Sequence, residues 1–74
     1  MHQDALQQFG LRIKQLRQAQ GISQEELGAR AQLDRTYISG IERGKRNVSF
    51  KNIVLIADAL QISVAELFNV PEFS

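Results

Sequence analysis

Apolar positions in this chain recur at three- and four-residue spacing almost from end to end. Leu6, Phe9, Ile13 and Leu16 are spaced 3, 4 and 3 apart, which puts them on one helix face. They predict a first amphipathic helix that stops before Gly21, a residue suited to the left-handed position after a helix. Ser23 then opens a second helix. Glu26 follows three residues on, which predicts a capping box in which each side chain bonds the other residue's backbone N–H. Leu27 and Ala31 form its apolar face, and Leu33 follows. Asp34 is placed to cap a third helix with Ile38 and Ile41 as its stripe, ending at Gly44. Gly44 to Val48 reads as a polar loop. Ser49 caps a fourth helix whose core face is Ile53, Ile56, Ala57 and Leu60. Ser63 and Glu66 form a second capping box and open a short fifth helix holding Val64, Leu67 and Phe68. Pro71 argues against continuation beyond Val70. No segment alternates with period two for long enough to argue a strand. The expected fold class is all-α: five helices around one core, a single domain over residues 1–74 with its core from about 9 to 68.

Composition narrows the chemistry. A chain of 74 residues buries only a modest core, which makes association a reasonable expectation. There is no cysteine, so disulfides and thiolate metal sites are excluded, and the single histidine, His2, stands at the terminus. No metal site and no cofactor is expected. No apolar run approaches a membrane span and no secretory pattern is present, so the expected setting is cytoplasmic. Net charge is only +1, but it is unevenly spread. From Arg35 to Lys51 five bases stand against Glu42 alone, a net +4. From Asn52 to Ser74 there are three acids and no base, a net −3. A basic middle and an acidic tail suggest one face for a polyanion and another for something else.

With Ile38 and Ile41 turned inward, Arg35, Thr36 and Ser39 fall largely outward on the third helix. Arg35 is long enough to bond guanine O6 and N7, and Thr36 offers a hydroxyl to a base edge or a methyl to thymine. Both stand at the helix N-terminus, where a recognition helix reaches bases. Gly40 is expected to remove bulk where that helix approaches the duplex. Tyr37 could lay its ring along the sugar–phosphate wall with its hydroxyl on a phosphate. Gln24 begins the second helix, where open N–H groups and the helix dipole favour a phosphate. Arg43, Lys45, Arg46, Asn47 and Lys51 can neutralise the backbone, and Arg46 can also reach a groove. The candidate base contacts are thus Arg35, Thr36, Ser39 and Arg46, and the candidate backbone contacts Gln24, Tyr37, Arg43, Lys45, Asn47 and Lys51.

Each of these residues has a plain structural use. An outward arginine or serine is ordinarily a solvated face, Tyr37 could cover the core edge, and Lys45 and Arg46 could keep a loop soluble. Asp34 reads as a cap rather than a base reader. Arg17 and Glu42 read as a salt bridge tying the first helix to the third. What favours duplex DNA as the partner is co-occurrence: capping box, helix spacing, short turn and basic loop together. An enzyme would need a nucleophile–base pair, a metal cluster or a phosphate loop. None is present, and no catalytic residue is expected.

The segments RIKQLRQAQGISQEELGARAQL, DRTYISGIERGKRNVSF and IADALQISVAELF, in that order, resemble the Cro/repressor-type helix-turn-helix domains, the XRE family. The resemblance covers about Phe9 to Phe68. It implies the five-helix repressor-like fold and sequence-specific DNA binding. It also implies a phosphate on Gln24, Arg35 and Thr36 at the head of the recognition helix, and the Arg17–Glu42 pair. Within that family, LDRTYISGIERGKRN looks like the controller proteins of restriction–modification systems. Those are small homodimeric regulators that bind palindromic operators, activating at low occupancy and repressing at high. Three departures stand out: Gln32 where the turn commonly has Gly, Gly28 where Ala is usual, and Val48 in place of a proline.

Val54 and Leu55 lie off the fourth helix's core stripe, and Val70 and Phe73 follow the last helix. Clustered away from the basic face, they suit an isologous dimer interface, drawn here as Val54, Leu55, Val64, Phe68 and Phe73. Two recognition helices would then meet half-sites about 34 Å apart. With no separate activating segment, activation would come from a small surface patch touching RNA polymerase. The competing readings are a general small repressor of this type, or an antitoxin-like regulator working with a protein partner. The few residues after the helices argue against the latter.

Overall fold

The computed structural model describes residues 2–73; the side chains of residues 2–4, His2 among them, and of Glu72 lie outside the described residues. Five α-helices follow in order: α1 His2–Ala19, α2 Gln24–Ala31, α3 Arg35–Glu42, α4 Phe50–Leu60 and α5 Val64–Leu67. No strand occurs among the described residues. Pro71 does not merely end the helical path, because Pro71–Phe73 forms a turn of 3-10 helix.

Four side chains start the helices where the sequence places them. Ser23, Ser49 and Ser63 hydroxyls accept from the N–H groups of Glu26, Asn52 and Glu66, and the Asp34 carboxylate accepts from the Thr36 N–H at 2.8 Å. The two capping boxes, however, are only half made. The Glu26 carboxylate turns to Arg30 Nε at 2.9 Å, and that of Glu66 to Arg12 Nη2 at 2.8 Å. A guanidinium within reach outcompetes a neutral backbone N–H for a carboxylate.

The helix ends repeat one device. Gly21, Gln32, Gly44 and Gln61 are left-handed, and the next residue's N–H reaches back six residues inclusive, as from Leu33 to the Gly28 carbonyl at 2.8 Å. Gln32 thus adopts the conformation that glycine commonly supplies, at φ 59°, ψ 40°. Gly28 belongs to the same turn. A Cβ there would stand 2.6 Å from the Leu33 carbonyl oxygen, so glycine admits the close return of the chain between α2 and α3. The departure from alanine at Gly28 thus has a structural reason.

The core gathers one face of every helix: Phe9 and Ile13 from α1, Leu27 and Ala31 from α2, Ile38 and Ile41 from α3, Ile56, Ala57, Ala59 and Leu60 from α4, and Leu67 from α5. Ile53, expected on the core face of α4, is only half-buried at its edge. Because α3 buries Ile38 and Ile41 beneath α1, its opposite side is fixed as the outer surface.

Candidate nucleic-acid interface

At the head of α3, Arg35 and Thr36 are exposed, and neither side chain is spent on the core. The Asp34 cap holds that end of the helix. Its carboxyl sits below the usual carboxylate range because Thr36 bonds it, through its side chain and then its N–H, with Arg35 adding to the effect. Ser39 is half-buried one turn on, and its carbonyl accepts from Arg43 Nε at 3.3 Å, which draws Arg43 along the C-terminal end of α3. Lys45, Arg46, Asn47 and Lys51 are all exposed in the loop and first turn of α4 that follow. Arg35 and Thr36 and the basic loop are thus all solvent-exposed, with Ser39 half-buried between them in sequence.

Tyr37 is half-buried. Its hydroxyl accepts from Asn52 Nδ2 at 3.1 Å, and its ring lies under the Arg46 guanidinium, Cζ 5.4 Å from the centroid. Gly40 is buried, and the side chain packed on it is that of Arg46: a Cβ at Gly40 would stand 2.8 Å from Arg46 Cγ. The bulk removed at Gly40 makes room for Arg46 rather than for a duplex, which corrects the expectation from sequence. Helical spacing places a residue on a face of its own helix, but not the side chain that a later loop returns to that face.

Behind the site, Arg17 grips Glu42 with two donors, Nε to Oε2 at 2.7 Å and Nη2 to Oε1 at 3.1 Å, while Nη1 donates to the Ile22 carbonyl at 2.9 Å. The bond to Glu42 raises the Arg17 pKa further. Gln24 joins this pair, its Nε2 donating to Glu42 Oε1 at 3.0 Å. One amide donor of Gln24 is thus committed inside the protein, and the Ser23 hydroxyl already takes the Glu26 N–H in the first turn of α2.

On α4 and α5, and just after α5, Leu55, Val64 and Phe68 pack partly against the core, and Val54 is half-buried. The Phe68 ring stacks on Phe9 at 5.1 Å and meets Phe73 at 6.0 Å, so much of its surface is used within the chain. An apolar groove of about 260 Å³ opens beside Leu6, Val48, Ile53, Phe68 and Phe73. Three residues of note escaped the sequence reading. Among the described residues Phe50 is the most exposed large apolar side chain, at 72 %. Arg12 ties α1 to the Glu66 carbonyl and carboxylate, both at 2.8 Å. Asn52, which holds Tyr37, carried no signal beyond being a polar residue in the first turn of α4.

Comparison with known proteins places this geometry. A family model described as helix-turn-helix matches residues 13–67. Control protein C.MunI of a Mycoplasma species is 48 % identical over 62 residues, 82 % of this chain and 84 % of that protein. The crystal structure of the restriction–modification controller protein C.AhdI from Aeromonas hydrophila superposes with a TM-score of 0.87 at 51 % identity, covering 88 % of this chain and 98 % of that one. The controller protein C.Esp1396I, solved as a tetramer with its natural 35 base-pair operator, superposes with a TM-score of 0.80 at 43 % identity, covering 85 % of this chain and 83 % of its own.

Proposed function

Because this chain belongs to the helix-turn-helix family of Cro/repressor type and resembles the controller proteins within it, we propose that it is the homodimeric controller of a restriction–modification system, binding a palindromic operator. The observation that carries this reading is the outward pair Arg35 and Thr36 at the capped head of α3, continued by the basic loop to Lys51. Arg35, Thr36, Ser39 and Arg46 read bases. Gln24, Tyr37, Arg43, Lys45, Asn47 and Lys51 hold the phosphate backbone and set register. A second copy docks through the α4–α5 side, at Val54, Leu55, Val64, Phe68 and Phe73. Activation proceeds by a surface contact with RNA polymerase.

Selection of bound sites from a random duplex pool, at two salt concentrations, tests this. Enrichment of a palindrome with half-sites about one turn apart is the expected result. Binding that enriches no motif and fades uniformly with salt would mean that the basic face binds DNA only generically.

A further inference from the structure

Four residues from α3, the loop after it and the first turn of α4 interlock at the edge of the recognition helix. Asn52 Nδ2 donates to the Tyr37 hydroxyl at 3.1 Å, from the first turn of α4. The Tyr37 ring carries the Arg46 guanidinium at 5.4 Å from its centroid. The Arg46 side chain lies along Gly40, where a Cβ would come within 2.8 Å of its Cγ and 3.4 Å of its Nε. Arg46 is nonetheless exposed, so the guanidinium is held at the surface rather than buried. An arginine held before its partner arrives surrenders less rotamer freedom on binding.

We propose that Asn52 and Gly40 are positioning residues for DNA reading. Asn52 fixes Tyr37, and Gly40 leaves the channel in which Arg46 lies, so that the guanidinium is set at the edge of α3 before the duplex is met. This rests on the reading that α3 faces an operator. It also fixes the polarity of Tyr37. With Asn52 as the donor, the hydroxyl oxygen accepts and its proton is turned outward, so the partner of Tyr37 on the duplex is an acceptor, a phosphate oxygen or a base N7 or carbonyl.

The test uses Gly40→Ala and Asn52→Ala in the full chain, with sites selected by the wild type from a random duplex pool. Alanine favours the helix, so Gly40→Ala should melt at the same or a higher temperature than wild type. It should still bind the selected site about 3- to 10-fold more weakly, with base preference flattened at one position and the salt slope unchanged. A residue with a merely structural role would lose stability and affinity together. Asn52→Ala should flatten the same position. It should also change the tyrosine near-ultraviolet signal of the free protein, which comes from Tyr37 alone since the chain has one tyrosine and no tryptophan. In a cycle with Tyr37→Phe, the effect of Asn52→Ala on binding should largely vanish. Unchanged base preference in both variants overturns the proposal, as does an unchanged Tyr37 signal in Asn52→Ala. A wild type that selects no motif removes the operator reading instead, and the Tyr37 signal still decides whether Asn52 positions the ring.

Discussion

Arg17 and Glu42 form an ion pair shielded from water on both sides, with side chains 11 % and 3 % exposed and Nε 2.7 Å from Oε2. The pair joins α1 to the end of the recognition helix, and the Gln24 amide completes it. Glu42→Ala would strand a largely buried guanidinium, at a cost of about 3–5 kcal/mol. For a domain this small that is a large share of the total. Chemical denaturation followed by circular dichroism should show a greatly reduced midpoint. A change below about 1 kcal/mol would show the pair to be ornamental, as exposed pairs are. Because the raised Arg17 pKa lies above the arginine range, its contribution is complete below that range and is lost only as pH rises through it. Arg17 therefore adds no slope to stability near neutral pH.

Acid is where a cap should register. Asp34 has a depressed carboxyl pKa, set by the side chain and then the N–H of Thr36. A depressed carboxylate contributes stability above its unfolded value, about pH 4, and loses it as pH falls through the lower folded value. Asp34→Asn keeps an N-cap acceptor without the charge. Melting curves should show wild type ahead of Asp34→Asn near neutral pH, with the gap closing below about pH 4. A gap that persists undiminished into strong acid would show that ionisation of Asp34 is irrelevant to the cap.

Gln32 holds a left-handed conformation, φ 59° and ψ 40°, with a side chain that disfavours it. Glycine there would relieve about 1–2 kcal/mol of strain and return part of it through the freer unfolded chain. Gln32→Gly should gain roughly 0.5–1 kcal/mol net in urea denaturation. Gln32→Val should lose stability, since a β-branched side chain tolerates that region worst. Loss on introducing glycine would mean that the Gln32 side chain contributes more than its backbone costs.

The helix order, the four caps and nearly all of the core were readable because each is written locally: a spacing of three or four, a serine or aspartate before it, and a glycine after α1 and α3; the left-handed Gln61 after α4 carried no such signal. What the sequence hid was settled by residues distant along the chain. Ser23–Glu26 and Ser63–Glu66 look like reciprocal boxes until Arg30 and Arg12 draw the glutamates away. Gly40 looks like an open patch until Arg46 folds over it, and Asn52 has no distinguishing neighbours in sequence at all. The proposed DNA-facing residues were visible by type and helical phase, but the support beneath them was not.

Arg35 is exposed at the head of α3, where a base reader belongs, whereas Lys51 stands in the first turn of α4, suited to a phosphate. Arg35→Ala should cost about 1–3 kcal/mol on the selected site and relax preference at one base pair. Lys51→Ala should weaken all duplexes evenly and lower the salt slope by about 1. Binding titrations at several salt concentrations, on selected and scrambled duplexes, separate the two. An Arg35→Ala variant with evenly reduced binding would reassign Arg35 to the backbone.

Val54 is half-buried on α4, one helical turn beyond the exposed Phe50. If a second copy covers this side, Val54→Glu places a charge in an apolar interface with no partner to receive it. Sedimentation should then show a monomer with an unchanged helical spectrum, because Val54 is not among the buried core residues. Affinity for the palindrome should fall far more than affinity for a half-site, by a factor of about 10² or more, since the second half-site contact is no longer intramolecular. A Val54→Glu protein that remains dimeric would move the interface off this part of α4, towards the groove beside Phe68 and Phe73.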